Sequence, residues 1–486
     1  MKQKLVLFVL ILGFLNVNCF AMSKNDSGLK SIQSDLKLLE IWINAQQEYR
    51  HIPGISVGLI YDQELIYSNT FGYADLEKET PLSDHSSFRI ASISKTFTAT
   101  ALMQLRDAGK LRLDDPVIKY LPWFQIKQTY PDQPPITIRQ LLTHTSGLPR
   151  EAAFPYWTDH KFPTMDQIKA TIADQETIFP PATRFKYSNL GLSLAGEIVS
   201  VVSGLSFNDY VKTHIFDPLG MNESTTEPDP QYQQRLVTPY SHRLEGISHA
   251  TMDYSEIQGV TPAAGLATTI PDLAKYVSLQ FREDDNSANA VLKGSSLKEM
   301  HRVQWLRPGW SSGWGLGWAI WHRSGKDING HGGWVAGNRT QVMFIPEDKV
   351  GIVVFTNSDD GEPGFIARHI LDFMGPVLVE AYAPVAEPAY EFDPAWEQYT
   401  GTYSDPWYFD TEIMILNQKL VMNTFSFPPE DEPNSEIIEL TPEGLHTFRM
   451  TGDNGNGELV VFEFDDAGKI FQVKQGNNYI YPKEQP

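Results

Sequence analysis

The chain has 486 residues, 41% hydrophobic and 20% charged, which excludes fibrous and disordered classes and leaves a globular protein with one large core and room for a second domain. Its formal charge of −21 repels nucleic acid and anionic lipid, and no run of Lys and Arg restores a binding role there. Acidity of this kind suits solubility outside the cytoplasm.

Met1-Lys-Gln-Lys4 followed by the apolar run Leu5 to Leu15 has the basic start and short greasy core of a secretory signal peptide, too short to span a bilayer. Cys19-Phe20-Ala21 places small residues where a signal peptidase reads, so residues 1–21 are expected to be a leader and the mature chain to be exported, periplasmic or secreted, with no integral membrane segment. Cys19 is the chain's single cysteine. It raises the alternative of a lipid anchor, against which Asn16-Val17-Asn18 argues, since small residues are wanted there.

Residues 23–50 carry a helical pattern, with Leu36, Leu39, Ile41, Trp42 and Ile43 as candidates for its apolar face. Ile55 to Tyr61 and Leu65 to Phe71, joined at Asp62-Gln63, form a hairpin pattern rich in strand formers. Then comes the stretch Phe88 to Thr100, where Ser92 precedes Lys95 by three residues at the start of a hydrophobic helix. On one helix face the Lys95 amine reaches the Ser92 hydroxyl, and the helix N-terminus favours negative charge developing there. Lysine serves as base for serine only if desolvation or a neighbouring cation leaves it partly neutral. The same spacing recurs at Ser27/Lys30, Ser34/Lys37 and Ser295/Lys298 in polar surroundings, so partners must identify the working pair.

From Leu111 to Met221 helical periodicity dominates. Ile136 to Leu142 reads as a short helix leading into His144-Thr-Ser-Gly-Leu-Pro149, a glycine-terminated helix end with a proline stop that requires no chemistry of His144. Tyr187-Ser188-Asn189 opens the helix Leu190 to Val202. A tyrosine there carries protons if Lys95 lowers its pKa, and the Asn189 amide can hold both the lysine and a substrate carbonyl. The cheap recurrence Tyr67-Ser68-Asn69 lies in a strand.

Strand signals return at Gly315 to Trp321, Thr340 to Ile345 and Val350 to Thr356. Gly330-His331-Gly332-Gly333 is expected just before a strand, where glycines let backbone approach a substrate and the Trp334 amide can point at a carbonyl oxygen. Trp305, Trp310, Trp314, Trp318 and Trp334 surround this stretch, mostly as core. Strands at both ends with helices between predict one sheet built from both parts of residues 22–375 around a helical insertion. Residues 376–395 read as a linker, and short strands at 412–416, 419–423, 436–440, 445–450, 459–464 and 470–474 make 396–486 a small antiparallel barrel.

Ser92-x-x-Lys95, Tyr187-x-Asn189 and His331-x-Gly333, in this order, resemble the serine β-lactamase and penicillin-recognising superfamily. The likeness is to its class C-like serine hydrolases, including esterases and D-amino-acid peptidases. Leu141 to Pro149, Tyr187 to Gly191, Pro218 to Met221 and Pro262 to Leu266 also look like that branch, over roughly residues 35–375. The fold implied is α+β: a β-lactamase/transpeptidase-like domain of antiparallel sheet, flanking helices and helical insertion, then a lipocalin-like barrel.

The resemblance implies Ser92 as acylated nucleophile, Lys95 as base, Tyr187 as proton shuttle and activator of the deacylating water, and an oxyanion hole from the Ser92 and Trp334 amides. It implies substrate binding by Asn189, His331 and Gly333, a small-molecule or peptide substrate, and neither metal nor cofactor. Many relatives carry lysine where this chain has His331. The change weakens carboxylate reading and moves the expectation from β-lactamase or DD-peptidase toward esters, amides and D-amino-acid peptides. A binding protein on the same fold, acylated without turnover, is the alternative of another class.

Overall fold

The computed structural model describes residues 32–130, 132–243, 248–285, 287, 291–382, 392–424, 437–452 and 454–483. The expected leader, Cys19 and the Ser27/Lys30 pair lie outside them. The chain divides into two compact units, Met1–Ala383 and Pro384–Pro486.

The first unit is built on a nine-stranded sheet. Its strands are β1 (Gly54–Tyr61), β2 (Glu64–Asp75), β3 (Thr80–Pro81), β6 (Trp305–Leu306), β7 (Ser312–Trp314), β8 (Ala319–Arg323), β9 (Lys326–Val335), β10 (Asn338–Ile345) and β11 (Val350–Thr356), in the order β3-β2-β1-β11-β10-β9-β8-β7-β6. A separate pair, β4 (Phe88–Arg89) and β5 (Ala267–Thr268), leads into the nucleophile region. Antiparallel pairing of β1 with β11, from Ile55↔Thr356 to Tyr61↔Val350, joins the N- and C-terminal parts into one sheet.

Side-chain alternation gives that sheet two buried faces. Ile55, Val57, Leu59, Ile352 and Val354 pack with α1 (Gln33–Arg50) and a long C-terminal helix. Val342, Phe344, Val353 and Phe355 face the helical insertion, where α2 (Ser94–Asp107), α3 (Ile138–Leu142) and α4 (Asn189–Ser203) share the main core. On α1 the buried residues are Leu36, Leu39 and Ile43, at helical spacing, while Ile41 is exposed and lies off the expected face.

Three expectations change. The Gly330–Gly333 stretch lies inside β9 rather than before a strand. Glycine is a poor strand former, but here close backbone packing requires it. Gly315 to Trp318 is a turn between β7 and β8, not the start of one strand; a Cβ on Gly315 would meet the Met300 carbonyl. The helix α5 (Pro363–Tyr382) runs through Pro376 into the segment expected as linker. Its apolar face continues through Leu371, Met374 and Leu378 on both sides of the proline, and that packing outweighs one missing hydrogen bond. Residues 383–391 of that segment lie outside the described residues.

The second unit is a closed antiparallel barrel of eight strands: β12 (Gly401–Ser404), β13 (Asp410–Leu416), β14 (Lys419–Thr424), β15 (Ile438–Gly444), β16 (Thr447–Thr451), β17 (Leu459–Phe464), β18 (Ile470–Gln475) and β19 (Asn478–Pro482). β12 and β19, unforeseen in the sequence, close it by pairing with each other. Trp396, Tyr399, Phe448 and Phe462 fill its interior. Among the described residues no single helix is long and apolar enough to cross a membrane.

Candidate active site

Ser92 sits in a single 3-10 turn, Ala91–Ile93, that runs directly into α2. Ala91 has φ of +46°, a left-handed conformation that costs a residue with a Cβ on the order of 1–2 kcal/mol. The surroundings hold it there. The Ile90 amide donates to the Leu266 carbonyl at 2.9 Å, the Thr340 hydroxyl donates to the Ile90 carbonyl at 3.1 Å, and Gly333 packs against the same carbonyl. A Cβ on Gly333 would lie 2.1 Å from Ile90 O and 2.4 Å from Thr340 Oγ1. Only glycine lets β9 approach the nucleophile turn this closely.

One turn on, Lys95 is buried, and its Nζ donates to Ser92 Oγ at 3.0 Å and to the Ala263 carbonyl at 2.7 Å. Burial drives its pKa well below the usual lysine range; Glu151 pulls it back and Arg150 pushes it further down. The Pro262 to Leu266 segment thus has a visible task, since Ala263 anchors the amine while the Thr98 hydroxyl donates to the Pro262 carbonyl at 2.7 Å.

The Tyr187 ring lies 4.9 Å from Lys95 Nζ. Its pKa moves opposite to the expectation: burial pushes the phenol well up, and a hydrogen bond with Ser92 and the nearby Arg150 offset only part of that. Tyr187 therefore stays protonated in the free protein. His144, on the loop after α3, supports it. The His144 ring lies against Tyr187, with centroids 4.2 Å apart and planes tilted by 33°, and its Nδ1 accepts from the Ser188 amide at 3.2 Å. Ser188 caps α4 by accepting from Gly191 N at 2.9 Å.

Asn189 differs most from expectation. Its Nδ2 donates to both oxygens of Glu151, at 2.8 and 3.0 Å, and no hydrogen bond to Lys95 is formed among the described residues, while its buried Oδ1 has no partner. Glu151 also accepts from Arg150 Nε at 3.0 Å and from the Tyr156 hydroxyl. The sequence reading missed this carboxylate. Its signal was its place two residues beyond the Gly147-Leu148-Pro149 turn, which aims the following residues at the start of α4.

His331 is buried on β9. Its Nδ1 lies 2.7 Å from the Gly332 carbonyl; a carbonyl only accepts, so Nδ1 carries the proton and Nε2, which has no partner among the described residues, keeps a free lone pair. Burial and the adjacent Lys95 push its pKa down to about 3. At neutral pH it is an uncharged acceptor.

Ser92, Tyr187, Asn189, His331, Gly333 and Trp334 share one cavity of about 450 Å³. Lys95 lies beneath it. The cavity is also lined by Arg150, Trp157, Arg339 and Glu362, none of which the sequence reading named. Trp157 stacks on Trp334 at 5.6 Å; Trp314 and Trp318 are buried and Trp310 is exposed. Among the described residues no three His, Cys, Asp or Glu side chains are grouped to hold a metal ion.

A sheet built from both chain ends, a helical insertion carrying Ser-x-x-Lys and Tyr-x-Asn, and a third motif on the facing strand define the serine β-lactamase and penicillin-recognising superfamily. The chain belongs to the Beta-lactamase family, whose profile matches residues 40–373. It is 27% identical to penicillin-binding protein 4* of Bacillus subtilis over 62% of this chain and 67% of that one. It is 28% identical to penicillin-binding protein 4 of Amycolatopsis lactamdurans over 71% and 92%. The octameric penicillin-binding protein homologue of Pyrococcus abyssi superposes with a TM-score of 0.62 at 26% identity, covering 92% of this chain and 99% of that one.

Proposed function

We propose that the protein is an exported serine hydrolase that acts through a covalent acyl-enzyme on carboxylic esters or amides, D-amino-acid peptides among them. The observation that carries this reading is the contact of Lys95 Nζ with Ser92 Oγ at 3.0 Å, with the lysine buried and its pKa depressed. A neutral amine at that distance takes the serine proton as Oγ attacks a substrate carbonyl. The resulting oxyanion lies between the Ser92 and Trp334 amides. Tyr187, a protonated phenol hydrogen-bonded to Ser92, relays a proton to the departing alcohol or amine and recovers it from Lys95. Water then attacks the acyl-enzyme by the reverse route and releases the acid. Export is supported by the basic start and apolar run at Met1 to Leu15.

The neutral His331 favours esters and amides without a carboxylate beside it. A second reading, binding or hydrolysis of β-lactams, is supported by the penicillin-binding relatives and by Arg150 and Arg339, which bring to the cavity the positive charge His331 lacks. Incubation with a fluorophosphonate, followed by intact-mass measurement, tests the hydrolase reading. A single adduct that disappears in Ser92→Ala is expected. No adduct under conditions that label a control hydrolase would overturn the proposal in favour of a binding protein.

A further inference from the structure

On the hydrolase reading Trp334 has two tasks in the Ser92 cavity: its indole forms a wall with Trp157, and its amide is the second donor to the oxyanion. Both depend on where the end of β9 lies. The two-residue turn Ala336-Gly337 joins β9 to β10 with φ of +26° and +72°, the pair of positive values that a tight hairpin requires. Ala336 carries a Cβ in that region, where side chains are rarely tolerated. Val335↔Asn338 closes the turn, so the next pair, Trp334↔Arg339, turns its backbone groups outward from the hairpin. The Arg339 carbonyl accordingly accepts from the Thr356 hydroxyl of β11 at 3.2 Å. On the other side β8 pairs with β9 only as far as Gly330, which leaves the Trp334 amide free of a strand partner.

One carboxylate ties this hairpin end down. Asp359, just beyond β11, accepts with Oδ1 from the Trp334 indole Nε1 at 2.6 Å and from the Gly337 amide at 2.9 Å. Its Oδ2 has no hydrogen-bond partner among the described residues. Asp359 is itself anchored: its amide donates to the Tyr240 carbonyl at 3.1 Å, and the Tyr240 amide donates to the Asn357 carbonyl at 2.9 Å. The same Tyr240 backbone supports the turn, since a Cβ added to Gly337 would lie 2.5 Å from Tyr240 N.

We propose that Asp359 is a positioning residue of the hydrolase: by gripping the Trp334 indole and the Gly337 amide with one oxygen, it fixes the Trp334 amide where the oxyanion forms. The assignment rests on the hydrolase reading for its effect on turnover but not for the clamp itself. Asp359 touches no reacting atom. It acts because an oxyanion donor is useful only at the right distance and direction, and a shift of about 1 Å forfeits much of its effect. Both partners use Oδ1, so an asparagine, which keeps that oxygen, preserves the clamp with a neutral and weaker acceptor.

Asp359→Ala and Asp359→Asn are compared with the wild type on 4-nitrophenyl acetate and on O-(4-nitrophenyl) thionoacetate, which puts sulfur, a weak acceptor, where the oxyanion would form. Asp359→Ala is expected to lower kcat on the acetate roughly tenfold or more with KM within about threefold. Its preference for the acetate over the thionoacetate should fall roughly tenfold, because sulfur gains little from a well-placed donor. Asp359→Asn should stay within about threefold of the wild type on both esters. A merely structural loss lowers both esters alike, so an unchanged preference in Asp359→Ala overturns the proposal.

The clamp is read separately by NMR of protein labelled with 15N-tryptophan, in which the Trp334 indole signal is the one missing from Trp334→Phe. That signal is expected downfield in the wild type, shifted part of the way upfield in Asp359→Asn and further in Asp359→Ala. A signal that stays in place in Asp359→Asn overturns the clamp, and this conservative variant gives the answer even if Asp359→Ala does not fold. If the wild type hydrolyses neither ester while the indole signal moves, the hydrolase reading has failed and the clamp stands.

Discussion

Lys95 donates to Ser92 Oγ across one helical turn at 3.0 Å, and burial rather than a second cation dominates the depression of its pKa. The serine is thus paired with an amine that its surroundings discharge. Replacing Ser92 by Ala should reduce kcat on an ester by about a thousandfold or more with an unchanged melting temperature. Turnover at the normal rate in that variant would sink the mechanism.

The same depression sets a pH dependence. Acylation needs neutral Lys95, so kcat/KM should rise with pH through the folded-state pKa of Lys95 and reach its plateau well below the ordinary lysine pKa of about 10.4. Stability follows the same sign. Between the folded value and the ordinary one, the unfolded chain binds the proton that the folded protein refuses, so this lysine destabilises the fold there, increasingly as pH falls. Lys95→Met should therefore be inactive yet gain thermal stability relative to the wild type as the buffer is made more acidic from pH 9 to 6, followed by scanning calorimetry.

His331 acts in the acid range. Its folded pKa of about 3 lies below the unfolded value of about 6.5. Between these limits the unfolded state takes up a proton the native state does not, at a cost to stability approaching about 1.4 kcal/mol per pH unit. His331→Gln should flatten the loss of stability between pH 6 and pH 4. An unchanged slope would mean that His331 is charged in the native protein.

Glu151 holds Asn189 through two hydrogen bonds and raises the pKa of Lys95. Glu151→Gln keeps the shape but turns one acceptor into a donor facing the Asn189 amide. We expect kcat/KM to fall about ten- to a hundredfold and the acid limb of its pH profile to move to lower pH. A purely structural role would lower activity without moving that limb.

Gly333→Ala tests the approach of β9 to the nucleophile turn. The added methyl would sit 2.1 Å from Ile90 O, so we expect a loss of about 2–4 kcal/mol in stability and of most activity, read by denaturant titration. Wild-type stability would show that the turn yields without cost.

Much of this protein is set by local pattern. Ser92, Lys95, Tyr187 and His331 could be singled out from the sequence because each belongs to a motif of a few neighbouring residues, and the order of the three motifs, in which the chain resembles a known superfamily, separates them from recurrences such as Ser34/Lys37 and Tyr67-Ser68-Asn69. The hairpin of β1 and β2 and most barrel strands are legible for the same reason, as alternation with turn residues between. What local pattern could not supply depends on residues brought together from distant parts of the chain. Gly330 to Gly333 became strand because the neighbouring β10 backbone and the Ile90 carbonyl leave no room for a Cβ. Pro376 stayed helical because buried residues flank it, and β12 and β19 became strands because closing the barrel satisfies their edges. The direction of the Tyr187 shift, the neutral state of His331 and the Glu151 carboxylate under Asn189 are likewise tertiary facts. Charge state depends on burial and on neighbours contributed by several elements, and no stretch of sequence carries that information by itself.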